Sequence, residues 1–174
     1  LVLGYNPKSS FVADLTTKPW YEVITEPGFK IGRTDPATDP KGKLSAQALT
    51  EAAAKQKLAG LTKIADTVST VFPEETLVGR LQSGQLDAGF FYASEATSAK
   101  IATVPLTGED LKATFTVTIL RDAPHEAGAE AFVSYLLGSH GQTQLKDGGY
   151  SLVSPPTVTG SGVPAALSAV LSGK

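Results

Sequence analysis

Short apolar runs alternate along this chain with stretches of helix-forming composition, and Pro or Gly punctuates most of the junctions. Leu1–Tyr5 reads as a strand stopped by Asn6-Pro7. A short helix through Phe11, Val12 and Leu15 follows, then a second over Trp20–Ile24 that stops at Pro27-Gly28. Phe29–Gly32 reads as a short strand, and Leu44 to about Leu58 is rich enough in Ala, Gln, Glu, Lys and Leu to predict a helix. Val68–Phe72 reads as strand or loop. Glu74-Glu75-Thr76 opens another helix, its acidic first turn suited to the positive end of the helix dipole. Ala88–Tyr92 has the composition of a buried strand. Ile101–Pro105 and Ala113–Leu120 predict two more, the second alternating Phe115, Val117 and Ile119 with threonines. Helices are expected over Ala127–Leu137, with Ala131, Phe132, Tyr135 and Leu136 on one face, and near Gln142–Lys146, while the tail from Pro155-Pro156 reads as loop until Pro164–Leu171. A last strand is expected over Tyr150–Val153. Such alternation argues an α/β fold with largely parallel sheets.

Charge and residue usage exclude several function classes. Fifteen Lys and Arg are scattered among seventeen Asp and Glu, and no block of like charge forms. Nucleic acid and anionic membrane surfaces are therefore poor partners. The absence of cysteine removes disulfides, thiolate metal sites and Cys nucleophiles. His125 and His140 sit in turns and fit no spaced metal motif. No Gly-x-Ser-x-Gly elbow, glycine-rich phosphate loop or His-Glu-x-x-His is present, so nothing in the sequence supports an enzyme. No apolar run approaches the ~20 residues that cross a bilayer. The sequence opens inside an apolar run and contains no Met. Further sequence is thus expected before Leu1, where any secretion signal would lie.

Three places could hold a ligand. The segment from Asp35 to Gly42 follows a short strand and precedes a helix, the position at which open α/β sheets bind ligands. Its prolines fix the backbone, and Lys41-Gly42-Lys43 would present N–H groups at a helix start, where anions are held without a countercharge. Composition alone favours a rigid surface turn with a helix cap, since turns of this make-up are common. Pro73-Glu74-Glu75-Thr76 is a second helix start, with the same two readings. Tyr92 ends a strand just before Ala93-Ser94-Glu95, so its hydroxyl could reach a cleft; the alternative is a packing residue with an exposed tip.

Leu1–Ser9, Lys30–Gly42, Ser83–Ala96, Ala129–Leu137 and the closing Gly149–Leu152, in that order, resemble the molybdate/tungstate-binding proteins of ABC importers. That resemblance implies the type II periplasmic-binding-protein fold: two lobes of mixed, largely parallel sheet flanked by helices. Residues 6–97 would form the second lobe, and residues 1–5 with 98–174 part of the first. It also implies capture of a small tetrahedral oxyanion, with ABC permease membrane subunits as partners, no cofactor and no nucleic acid. The location would be periplasmic or extracellular, with a lipid anchor in the preceding sequence left open. The backbone near Lys41, the helix start at Glu74-Glu75 and the Tyr92 hydroxyl would donate to the anion. In one branch of the family carboxylates complete a six-coordinate metal, and Asp39 with Glu74 or Glu75 are the candidates here. That branch carries a long insertion after the Asp-Pro loop, which this chain lacks, so tetrahedral coordination stays open. The serine-bearing loops of the family's opening strands would lie before Leu1. The effector domain of a LysR-type regulator shares the fold and is the alternative, together with a sulfate- or phosphate-binding protein.

Overall fold

The computed structural model describes residues 1–172. They form two compact units, Leu1–Ala113 and a second from Thr114 onward. The first contains β1 (Val2–Tyr5), α1 (Val12–Thr17), α2 (Trp20–Val23), β2 (Ile31–Gly32), α3 (Pro40–Gln56), α4 (Ala59–Asp66) and a 3-10 turn (Val68–Thr70). It continues with α5 (Glu74–Gln82), β3 (Ala88–Phe91), α6 (Ala93–Ser98) and β4 (Ala102–Pro105).

The strands make one mixed sheet in the order β2-β3-β1-β4. Only the β2–β3 ladder is parallel; β1 pairs antiparallel with both β3 and β4. The expectation of largely parallel sheets is thus corrected. β2, β3 and β4 do run the same way, as helical crossovers require. β1 runs against them and lies between β3 and β4, which turns two of the three ladders antiparallel.

Both faces of the sheet are covered. Leu3 and Phe90 stand opposite each other in register and pack with Leu15, Trp20, Leu49 and Leu61 on one face. Phe91, one residue on, points the other way and packs with Leu77, Leu81, Leu86 and Ala96. The Phe91 ring lies across Gly4, where a Cβ would come within 2.7 Å of it. Full burial of a large apolar side chain stabilises by about 1.5–3 kcal/mol, and most of these residues are wholly inaccessible.

Arg33, at the end of β2, is also buried. Its guanidinium donates to the carbonyls of Ala65 (2.5 Å) and Thr67 (3.5 Å), which ties the end of β2 to the end of α4.

The second unit contains α7 (Glu126–Leu137), α8 (Ser139–Asp147), a 3-10 turn (Ala165–Leu167) and α9 (Ser168–Leu171). The strands expected over Ala113–Leu120 and Tyr150–Val153 do not form. A strand needs a neighbour to take its N–H and C=O groups, and among the described residues this unit supplies none. The apolar face expected for α7 is likewise uncovered: Phe132 and Tyr135 are exposed, and Val133 is the residue it buries.

Candidate functional site

Asp39 is the N-cap of α3. Its Oδ1 accepts from the N–H groups of Lys41 (2.7 Å) and Gly42 (3.3 Å), with Pro40 as the first helical residue. The helix therefore starts four residues before the Leu44 boundary that composition predicts. Asp35 shapes the turn ahead of it: its side chain accepts from Ala37 N, and its carbonyl from Asp39 N at 2.9 Å. Gly42 is needed because any Cβ there would strike the Asp35 carbonyl. The Lys41 N–H expected to face a ligand thus donates to the cap.

The Lys41 side chain turns inward and is 1% exposed. Its Nζ lies 2.6 Å from Glu95 Oε1 and 3.4 Å from Glu74 Oε1. It also stands 5.6 Å from the centre of the Phe91 ring and 5.9 Å from that of Tyr92, within cation–π range. The other oxygen of Glu95 accepts from the Tyr92 backbone N–H at 2.9 Å. The starts of α3 and α5 and the junction of β3 with α6 are thereby drawn to one place.

Four of the residues singled out by sequence gather there: Asp39, Lys41, Glu74 and Tyr92. The Tyr92 phenol is pushed to a higher pKa, first by burial and then by the nearby carboxylates of Asp39, Glu95 and Glu74. It therefore stays protonated, and a donor, at neutral pH. Glu75 does not join. It is exposed, and its side chain makes no hydrogen bond or ion pair among the described residues. Glu95 is the residue that sequence reasoning missed, although Glu three positions after a strand end is the spacing at which a carboxylate reaches back to a helix-start N–H.

Two surface grooves of about 390 and 400 Å³ lie elsewhere in the first unit, and none of these residues lines them. Several polar groups of the first are already engaged: Asp87 accepts from Ser9 Oγ and Lys30 N, and Asn6 Nδ2 donates to Leu81 O. The junction around Lys41 is the better candidate, since it gathers the carboxylates of Asp39, Glu74 and Glu95, a buried ammonium and a phenol from separate segments. Among the described residues, no three His, Cys, Asp or Glu side chains form a cation-binding group, and no helix is long and apolar enough to cross a membrane.

A solute-binding protein of Petrotoga mobilis is 27% identical over 90% of this chain and 60% of its own length. The molybdate/tungstate-binding protein WtpA of Thermococcus kodakarensis is 23% identical over 92% of this chain and 60% of its own. A Haloferax volcanii protein named as an ABC transporter molybdenum-binding protein is 30% identical over 79% of this chain and 42% of its own. The chain thus spans at most 60% of the length of these relatives. Residues 1–151 match the bacterial extracellular solute-binding protein family, a group of binding proteins rather than enzymes, and the chain belongs to that family.

Proposed function

We propose that this chain is the larger part of a binding protein that captures molybdate or tungstate, outside the cytoplasm, for an ABC importer. Residues 6–97 are one lobe in this reading, and residues 1–5 with 98–174 contribute to the other. The relatives named for these oxyanions, aligned with most of the chain, support it.

The observation that carries the choice of anion is the company Tyr92 keeps. A protonated phenol is a good donor to an anionic oxygen. Carboxylates beside it would only repel sulfate, which has no proton to donate at neutral pH and whose sulfur accepts no further oxygen ligands. Molybdenum and tungsten are large enough to add carboxylate oxygens and become six-coordinate. Asp39 and Glu74 fit that role: both cap bonds of Asp39 fall on Oδ1, leaving Oδ2 outside the cap, and the Glu74 side chain is 56% exposed. The same carboxylates that would weaken a sulfate site therefore select for the heavier oxyanions.

Titration calorimetry of the full-length protein with molybdate, tungstate and sulfate tests this reading. Tight binding of the first two and far weaker binding of sulfate is expected. Equal affinity for sulfate, or no binding of any oxyanion, refutes it.

A further inference from the structure

A lysine ammonium at 1% exposure needs a reason. The space around Lys41 Nζ is partly apolar, bounded by the Phe91 and Tyr92 rings, and a methionine of similar length would fill it. Replacing a buried ion pair by apolar groups is often neutral or stabilising, so stability alone does not explain the charge. What distinguishes Lys41 is what it touches. Glu74 begins α5, Tyr92 ends the β3 segment, and Glu95 bridges the ammonium to the Tyr92 backbone N–H through its two oxygens. One side chain thus governs the placement of a carboxylate and a phenol that stand 18 residues apart in sequence.

The charge balance points the same way. Asp39 from the α3 cap, Glu74 from α5 and Glu95 from α6 all bear electrostatically on Tyr92. Against these carboxylates stands the Lys41 ammonium, in contact with two of them. Its burial keeps it from meeting a bound ion directly, so its influence passes through Glu74, Glu95 and Tyr92.

We propose that Lys41 is the positioning residue of this site: its buried ammonium holds Glu74 and, through Glu95, Tyr92 in place, and it offsets the carboxylate charge that an arriving dianion meets. The inference rests on the reading of Asp39, Glu74 and Tyr92 as ligand groups, and it assigns to Lys41 a role through its neighbours.

The test uses Lys41→Met and Glu95→Gln in the 174-residue chain. Ionisation of the Tyr92 phenol is followed by ultraviolet difference absorbance, each variant being compared with its own Tyr92→Phe partner. Lys41→Met leaves the carboxylates unopposed, so Tyr92 ionises at higher pH than in the parent. Glu95→Gln removes one of them and moves ionisation to lower pH. A residue with a merely structural role would not displace the phenol in opposite directions. No displacement, or displacement in the same direction, overturns the proposal. If Lys41→Met fails to fold by circular dichroism, Lys41→Gln, which also removes the ammonium, takes its place with the same expected direction. Calorimetry on the full-length protein supplies the second readout, with molybdate binding expected to weaken about tenfold or more in Lys41→Met; unchanged affinity also overturns the proposal. A parent protein that binds no molybdate would refute the oxyanion reading, while the phenol titration, which needs no ligand, would still decide whether Lys41 sets the state of Tyr92.

Discussion

Replacing Asp39 by alanine and by asparagine separates the structural use of its carboxylate from the binding use proposed for it. The structural use is the cap: Oδ1 accepts two N–H groups of the first turn of α3, at 2.7 and 3.3 Å. Losing a side-chain cap costs roughly 0.5–2 kcal/mol. Losing a negative charge at a helix start costs about 0.3–1 kcal/mol more. Asp39→Ala removes both and should lower stability by about 1–3 kcal/mol. Asparagine keeps an acceptor in the same place and loses only the charge, so Asp39→Asn should cost less than about 1 kcal/mol. Binding should follow a different order. A carboxylate that ligates molybdenum is not replaced by a neutral amide, so both variants should lose most of their molybdate affinity. Urea denaturation followed by circular dichroism gives the stabilities, and calorimetry of the full-length protein gives the affinities. Two results would refute the reasoning: Asp39→Ala as stable as the parent, which denies the cap, or Asp39→Asn binding molybdate undiminished, which denies the ligand.

Tyr92→Phe should weaken molybdate binding by roughly 1.5–3 kcal/mol, the worth of a hydrogen bond to a charged group, with folding little changed; an unaltered dissociation constant returns Tyr92 to a packing role. The raised pKa of Tyr92 means that folding favours its neutral form, so its contribution to stability is complete below the ordinary tyrosine value of 10.0 and is lost as pH rises through the higher folded value. Denaturation midpoints measured at pH 9 and pH 11 should therefore fall less in Tyr92→Phe than in the parent, and equal falls would show that the shift is absent. In the second unit Phe115, Leu120, Phe132 and Tyr135 are 65%, 74%, 60% and 56% exposed, well beyond the scattered apolar exposure of an ordinary surface. The 174-residue polypeptide is expected to self-associate by light scattering, and the double substitution Phe115→Ser with Phe132→Ser to reduce this; a stable monomer at high concentration would contradict it.

How much of this was legible in the sequence depends on the range of the interaction concerned. Asp39-Pro40 and Pro73-Glu74-Glu75 mark helix starts because caps, proline at the first position and first-turn acids act within one turn of the chain. The apolar run Ala88–Phe91 reads as a buried strand for an equally local reason, and it is buried throughout. The order and spacing of the segments that resemble molybdate/tungstate-binding proteins pointed to an extracellular binding protein, and the comparison established the broader solute-binding protein family. Alternation of side chains does not encode strand direction, since a strand shows the same period of two whichever way its neighbour runs. That β1 lies between β3 and β4 and opposes both was therefore decided by tertiary pairing. Residues Ala113–Leu120 fail for the complementary reason: the alternation of Phe115, Val117 and Ile119 expresses a preference for strand, but a ladder requires a second strand, and none forms in that unit among the described residues.

The candidate site divides in the same way. Sequence alone determined which residue types stand at the helix starts and at the end of β3, because each follows from chemistry within a few neighbouring positions. It could not reveal that Lys41 turns inward to meet Glu95, 54 residues away, or that Glu75 faces solvent while Glu74 reaches Lys41. Adjacent helical positions differ by about 100° in direction, so which glutamate faces the site depends on how α5 sits against the sheet. Whether a lysine is solvated or buried is likewise settled only when the carboxylates that can compensate its desolvation are brought to it by packing.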